Sequence, residues 1–207
     1  PIHEDSSVHN IVGIDLGMNF LAVSYDSDEK TSFFEGRHIK DKRAKFAKTR
    51  KSLQQTKTAS SRRRLKKLGN RENRWMTDTN HKVSKALVYG NKECTLFVIE
   101  DLTGIRSQTE RVQRQDRYYS VSWAFYQLRE MIEYKALRSG SKVIAVDPKY
   151  TSQTCPKCGH TEKANRNKNT HTFICKTCTY TSNDDRIGAM NLQRKGIEYI
   201  AEVMLSV

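Results

Sequence analysis

Two Cys-x-x-Cys pairs, Cys155/Cys158 and Cys175/Cys178, stand sixteen residues apart. That spacing suits a zinc ribbon, in which two knuckles bring four thiolates to one tetrahedral ion. Each pair is followed by a turn-forming dipeptide, Gly159-His160 and Thr179-Tyr180. The segment between the pairs is polar, with Lys163, Asn165, Arg166, Asn167, Lys168 and Asn169, and offers little to bury besides Phe173 and Ile174. Such a loop cannot fold on hydrophobic burial alone, so a metal has to hold it. Two disulfides are the alternative. No secretory signal is read in the chain, and a reducing compartment favours metal over disulfide. Four thiolates fill the coordination sphere and leave no position for water, so this zinc is structural. Lys157, Lys163, Arg166, Lys168 and Lys176 around it would suit a phosphate backbone.

Carboxylates offer a second chemistry. Asp15 interrupts the apolar run Ile11-Val12-Gly13-Ile14-Asp15-Leu16-Gly17. An ionised aspartate buried there is costly unless a cation or hydrogen bonds compensate it, and the other reading is a turn residue at a strand end. Glu100 and Asp101 end the run Thr95-Leu96-Phe97-Val98-Ile99. Neighbouring strand side chains point to opposite faces, so only one of the two can aim at a given site. Asp184 and Asp185 precede Ile187, Gly188, Ala189 and Leu192, which are small and apolar at helical spacing. Acids from three elements, converging on two divalent ions about 4 Å apart, are what two-metal phosphodiester cleavage needs. Hard Mg²⁺, with Mn²⁺ able to replace it, suits an all-oxygen site, while thiolates select zinc.

The elements that must position these groups are legible. Three short strands, from Ile11, from Phe20 to Tyr25 and from Thr31 to Phe34, form a meander joined by the polar turn 26–30. The uninterrupted apolar run at 95–99 predicts a central strand covered on both faces, and Cys94 before it reads as a small buried hydrophobe. A basic segment, Ile39 to Leu68, predicts two helices broken near 56–61, followed by a separate helix from Thr77 to Tyr89 with Val83, Ala86 and Leu87 inward. His81 on that helix suits a surface or phosphate contact better than metal ligation. Residues 107–117 read as a mobile loop, 120–138 as a long helix stopped by Ser139-Gly140, and 142–147 as a last strand. A closing helix then runs to Leu205.

Charge is concentrated. The net charge is +14, and from Arg37 to Arg74 sixteen Lys and Arg face two acids, while the remaining bases and acids balance. One focused basic stripe is the footprint of a polyanion partner, with a solvated basic arm as the plainer alternative. The expected contacts are Lys48, Arg50, Lys51, Arg62, Arg63, Arg64, Lys66 and Lys67. No stretch approaches the ~20 apolar residues of a membrane span. The chain opens on Pro1 and a linker-like His3-Glu4-Asp5-Ser6-Ser7, so it is expected to be the C-terminal part of a longer protein.

In this order the motifs resemble the RuvC-like, RNase H-fold nuclease region of the TnpB family and of the related miniature type V CRISPR effectors. The carriers are Gly13-Ile14-Asp15-Leu16-Gly17, Val98-Ile99-Glu100-Asp101-Leu102, the stretch from Tyr150 to Gly159, Cys175-Lys176-Thr177-Cys178, and Asp185 with Ala189 and Asn191. The resemblance implies an α/β fold, an RNase H-like mixed sheet flanked by helices with an inserted four-cysteine zinc ribbon. It implies a nuclease core over 1–149 with a basic helical insertion at about 37–90, a zinc-ribbon nucleic-acid-binding domain over 150–182, and a third motif with its closing helix over 183–207. Asp15, Glu100 and Asp185 are implied as the catalytic acids, with two Mg²⁺ ions, and the four cysteines as ligands of one Zn²⁺. Asp184 fits less well than Asp185, which has the family's spacing to Ala189 and Asn191. Ile187 and Gly188 stand where Asn and Ala are usual, and neither is charged, so cleavage is expected to be unaffected. The implied partners are guide RNA and target DNA, the implied location the cytoplasm of a prokaryote at the nucleoid. The recognition half that precedes this region in the family is missing from the chain. A nucleic-acid-binding module or guided repressor without cleavage is the rival reading. A transposase is weaker, because no Tyr or Ser has a setting that would activate it as a nucleophile.

Overall fold

The computed structural model describes residues 8–17, 19–101 and 123–205. The loop expected at 107–117 and the start of the helix expected at 120 lie outside the described residues. β1 (Asn10–Asp15), β2 (Phe20–Tyr25) and β3 (Thr31–Glu35) pair antiparallel as the expected meander. β4 (Thr95–Glu100) runs parallel to β1, and β5 (Lys142–Val146) parallel to β4, giving the order β3-β2-β1-β4-β5. Four helices flank this RNase H-like mixed sheet: α1 (Arg37–Thr56), α2 (Ala59–Tyr89), α3 (Trp123–Arg138) and α4 (Asp184–Leu205). No helix among the described residues is long and apolar enough to cross a membrane.

The strand period of two decides what each face meets. Val12, Ile14, Phe97 and Ile99 pack against Leu87 and Val88 of α2 and Leu128 and Ile132 of α3. The alternate residues Ile11, Leu96 and Val98 meet Leu192, Tyr199 and Ile200 of α4. β4 is covered on both sides, as its apolar run predicts, and each such large side chain contributes about 1.5–3 kcal/mol by leaving water. Helix α4 lies in backbone contact with β1: a Cβ on Gly13 would sit 2.0 Å from the Ala189 carbonyl oxygen.

The basic segment breaks where expected. Lys57 takes a left-handed φ of 53°, and the Thr58 side chain accepts from the Ser61 N–H to start α2. The separate helix expected from Thr77 does not exist, since α2 continues unbroken to Tyr89. Its inward stripe is partly polar: Asn80 Nδ2 donates to the Ala124 carbonyl at 2.8 Å, and Gln127 Nε2 to Thr77 Oγ1 at 3.1 Å. Between Leu68 and Met76 the buried stripe is held by the charged Glu72, ion-paired with Arg50 of α1, which hides the helix's period there. Ala86, expected inside, is exposed, and Val88 takes its place. Cys94 is half-buried at a left-handed turn with φ 54°, not a core residue. A second, three-stranded sheet, β6 (Arg166–Asn167), β7 (Thr172–Ile174) and β8 (Thr181–Asn183), packs beside the thiols, which lie in flanking turns, and leads into α4.

Candidate active site and four-thiol centre

Strand register brings two acids together. Ile14 pairs with Ile99, so the next residues, Asp15 and Glu100, end neighbouring parallel strands. Both fall in the alternate set that faces α4. Asp101 falls in the other set, and its carboxylate lies 3.5 Å from Arg129 of α3. The choice the sequence left between Glu100 and Asp101 is therefore made by the pleat.

α4 starts at this same end of the sheet with Asp184 and Asp185 in its first turn. Asn183 caps it, Oδ1 accepting from the N–H groups of Asp185 at 3.0 Å and Arg186 at 3.1 Å. A helix N-terminus favours negative charge, so carboxylates are tolerated here. A Cβ on Gly188 would sit 2.9 Å from Asp15 Oδ2. The third motif's departure at this position thus lies directly against an acid, and a side chain larger than glycine here would press on Asp15.

The acids press on one another. Burial pushes the Asp15 carboxyl well above the usual range, and the charges of Glu100, Asp185 and Asp184 push it further, with Arg166 pulling against them. Burial also raises Glu100, against the Thr151 hydroxyl that donates to its Oε1 at 2.6 Å and the charges of Lys195 and Arg166. Asp185 is raised by burial and by Asp184, opposed by Arg166, His171 and Lys40. Asp184 Oδ1 and Asp185 Oδ2 are buried and accept no hydrogen bond among the described residues. Buried carboxylate oxygens without donors are costly, and a cation is the compensation such a cluster accepts. An oxygen-rich donor set of this kind fits Mg²⁺ or Mn²⁺.

Arg166 is where the sequence misleads. It reads as a phosphate contact on the ribbon surface, yet its Nε donates to Asp184 Oδ2 at 2.8 Å and its Nη2 lies 3.7 Å from Asp185 Oδ1. β6 pairs Arg166 with Phe173, which turns the guanidinium toward the acids. His171 reaches the same place, its Nδ1 3.6 Å from Asp184 Oδ1, and the Asn19 amide donates to the His171 ring at 2.9 Å. The Lys40 ammonium in turn donates to Asn19. Neither Thr151 nor His171 carries a signal beyond its place in the chain that would have marked it beforehand.

The four thiols also converge. Cys155 Sγ and Cys178 Sγ are 3.6 Å apart, Cys158 Sγ and Cys175 Sγ 3.5 Å, and all four sulfurs lie within 4.8 Å of one another. Disulfides, near 2.05 Å, are excluded, and the cysteines are free thiols. A tetrahedral ion with bonds of about 2.3 Å needs sulfurs about 3.8 Å apart, so the set fits zinc. The two knuckles repeat each other. Gly159 N–H donates to the Cys155 carbonyl at 2.9 Å and Thr179 N–H to the Cys175 carbonyl at 3.0 Å, while Cys155 and Cys175 donate to His160 and Tyr180, each at 2.9 Å. The backbone N–H of Cys178 draws the Cys175 thiol down to about 6, while burial pushes the Cys155 thiol up, so among these close sulfurs Cys175 gives up its proton more readily than Cys155. Phe173 and Ile187 pack beside the sulfurs. Ile174, expected inside, is half exposed.

On α1 and α2, Lys48, Lys51, Arg62, Arg63, Arg64, Lys66 and Lys67 are exposed. Arg50 is half-buried and ion-paired with Glu72, which Arg43 approaches to 3.9 Å. Lys42 stacks 4.4 Å over the Trp75 ring, so part of the basic charge serves the helix pair itself.

The IS605 OrfB family, described as a probable transposase, matches residues 1–104, half of the chain. The chain belongs to the IS605 OrfB (TnpB) family. A second family, the Cas12f1-like TNB domain, matches residues 125–192, which include the thiol ribbon. Among relatives of this OrfB chain, the CRISPR-associated endodeoxyribonuclease Cas12f1 of Sulfoacidibacillus thermotolerans is 32% identical over 93% of the chain and 47% of that protein. The putative RNA-guided DNA endonuclease InsQ of Escherichia coli K12 is 32% identical over 97% of the chain and 52% of that protein. The TnpB-like protein MJ0751 of Methanocaldococcus jannaschii is 29% identical over 90% of the chain and 69% of that protein. The chain spans about half the length of the first two curated relatives. Its fold matches a solved Cas12f1 complex with a TM-score of 0.70 at 19% identity, covering 90% of this chain and 50% of that one.

Proposed function

We propose that this OrfB chain is the nuclease half of an RNA-guided DNA endonuclease, and that Asp15, Glu100 and Asp185 are its catalytic acids. The observation that carries the reading is Asp15, buried and pushed up by the charges of Glu100 and Asp185, beside Asp185 Oδ2, which accepts no hydrogen bond among the described residues. A protein that only binds nucleic acid has no use for so costly a cluster. Two Mg²⁺ ions, or Mn²⁺, held by the three acids would supply a hydroxide nucleophile near neutral pH and offset charge on the leaving oxygen. Asp15 and Glu100 present their carboxylates from rigid strand ends, and Asp185 from a capped helix, so little reorganisation is needed. Arg166 offsets the repulsion between Asp184 and Asp185. The four thiolates would hold one structural Zn²⁺. The exposed cations of α1 and α2 would take backbone phosphates without reading sequence.

Guide RNA and target DNA are the partners, a reading supported by the names of the relatives and by the solved neighbour, a complex with guide RNA and target DNA. A DNA substrate puts the work at the nucleoid of a prokaryotic cell. The test is Asp15→Ala, Glu100→Ala and Asp185→Ala, assayed for Mg²⁺-dependent cutting of single-stranded DNA and for DNA binding. Each should abolish cutting and keep binding; cutting retained in any one would overturn the assignment.

A further inference from the structure

Two buried polar residues outside the acid cluster join the elements that carry it. Asn191 lies on α4, six residues after Asp185, and its Nδ2 donates to the carbonyl oxygens of Thr151 at 2.7 Å and Thr154 at 2.8 Å. Both protons of the amide are thus spent on one turn, the turn between β5 and Cys155. Thr151 is itself buried. Its hydroxyl lies 2.6 Å from Glu100 Oε1 and 2.9 Å from the Pro148 carbonyl. A single O–H proton serves one acceptor at a time, and an ionised carboxylate is the stronger one. Charged Glu100 therefore takes it.

We propose that Asn191 and Thr151 are positioning residues: α4 grips the turn through Asn191, and the turn's hydroxyl aims Glu100 at the ion position it shares with Asp15 on the neighbouring strand. The helix that supplies one acid thereby sets the orientation of another. With Oε1 fixed by Thr151, Oε2 is left to face a cation, which is how a hydrogen-bonded partner behind a ligand sharpens a metal site. Neither residue touches the reacting atoms. The proposal rests on the two-ion reading of Asp15, Glu100 and Asp185.

The test titrates Mn²⁺ into zinc-loaded protein and follows free Mn²⁺ by electron paramagnetic resonance, for wild type, Thr151→Val, Thr151→Ser, Asn191→Ser and Glu100→Ala. Thr151→Val keeps the side chain's shape and deletes the hydroxyl, and should weaken Mn²⁺ binding about tenfold, the lower end for partners behind a metal ligand. Thr151→Ser should restore affinity to within about twofold of wild type, and zinc content should not change. Asn191→Ser should weaken Mn²⁺ in the same direction. Wild-type affinity in Thr151→Val, or equal losses in the Val and Ser variants, would overturn the hydroxyl's role. Wild-type affinity in Asn191→Ser would remove Asn191 from the relay. Glu100→Ala separates the two levels. If it loses Mn²⁺ while Thr151→Val does not, only the relay fails, and if Glu100→Ala binds Mn²⁺ as wild type does, the ion reading itself falls.

Discussion

The five-stranded sheet and the four-thiol ribbon both feed the acid cluster, and they hold themselves together by opposite means. In the sheet, Val12, Ile14, Phe97 and Ile99 are wholly buried between strands and helices. In the ribbon the fully buried apolar content is Phe173, with Ile187 supplied by α4 and Tyr180 partly buried beside them, next to the thiols. Side-chain volume stabilises the first. The second has too little of it, and on the proposed reading a zinc ion held by the four thiols closes the loop. Yet the polar ribbon delivers Arg166 to Asp184 and begins at the turn that carries Thr151, while the sheet delivers Asp15 and Glu100. Rigid burial positions the acids, and the cross-linked ribbon positions what orients and neutralises them.

If this contrast is right, the two regions fail separately. The largest effect should come from the ion: structural zinc supplies about 10–16 kcal/mol in small finger peptides, far more than one buried Phe can replace. Cys175→Ser should abolish zinc binding and strip hydrogen-exchange protection from residues 155–183, while amides of β1 and β4 keep theirs. A ribbon still protected without zinc would erase the contrast. Next in size is Phe97→Ala, which leaves a cavity in the sheet and should cost about 3–5 kcal/mol in denaturant unfolding. Zinc content should stay at one per chain. Zinc lost in step with the sheet would mean the two regions unfold as one unit.

The same contrast explains what the sequence could disclose. Strands with long apolar runs, 95–99 above all, reveal themselves because burial on both faces leaves no polar alternation. The cysteine spacing is legible because four thiolates have one geometry to satisfy. The acids become candidates by sitting where charge should not. What stayed hidden depends on contacts between distant elements. Helix α2 looked broken between Leu68 and Thr77 because a charged residue, Glu72, occupies its buried stripe there, ion-paired with Arg50 of α1. Arg166 looked like surface charge because only its strand pairing with Phe173 turns it inward. The methyl-free position at Gly188 looked neutral because its neighbour, Asp15, is 173 positions away in the chain.

At its acid end the sheet contains a place where burial works against it, and there a smaller, stabilising change is expected. A carboxyl raised by burial and like charges, as Asp15 is, binds its proton more readily folded than unfolded. Its contribution to stability is therefore fully present below about 3.9, the ordinary aspartate value, and is lost as pH rises through the folded value. Asp15→Asn removes that dependence. In buffer without added Mg²⁺ at pH 8 the variant should be more stable than wild type, because burial and the charges of Glu100 and Asp185 then oppose the ionised Asp15. The gap should shrink as pH falls toward about 4, and Mg²⁺ should close it from the other side by binding wild type alone. Equal stability at pH 8 would mean that Arg166 and the other neighbours already satisfy this carboxylate. The sheet would then be as unstrained at its acid end as along its apolar length, and the cluster would lose the electrostatic pressure that marks it as a cation site.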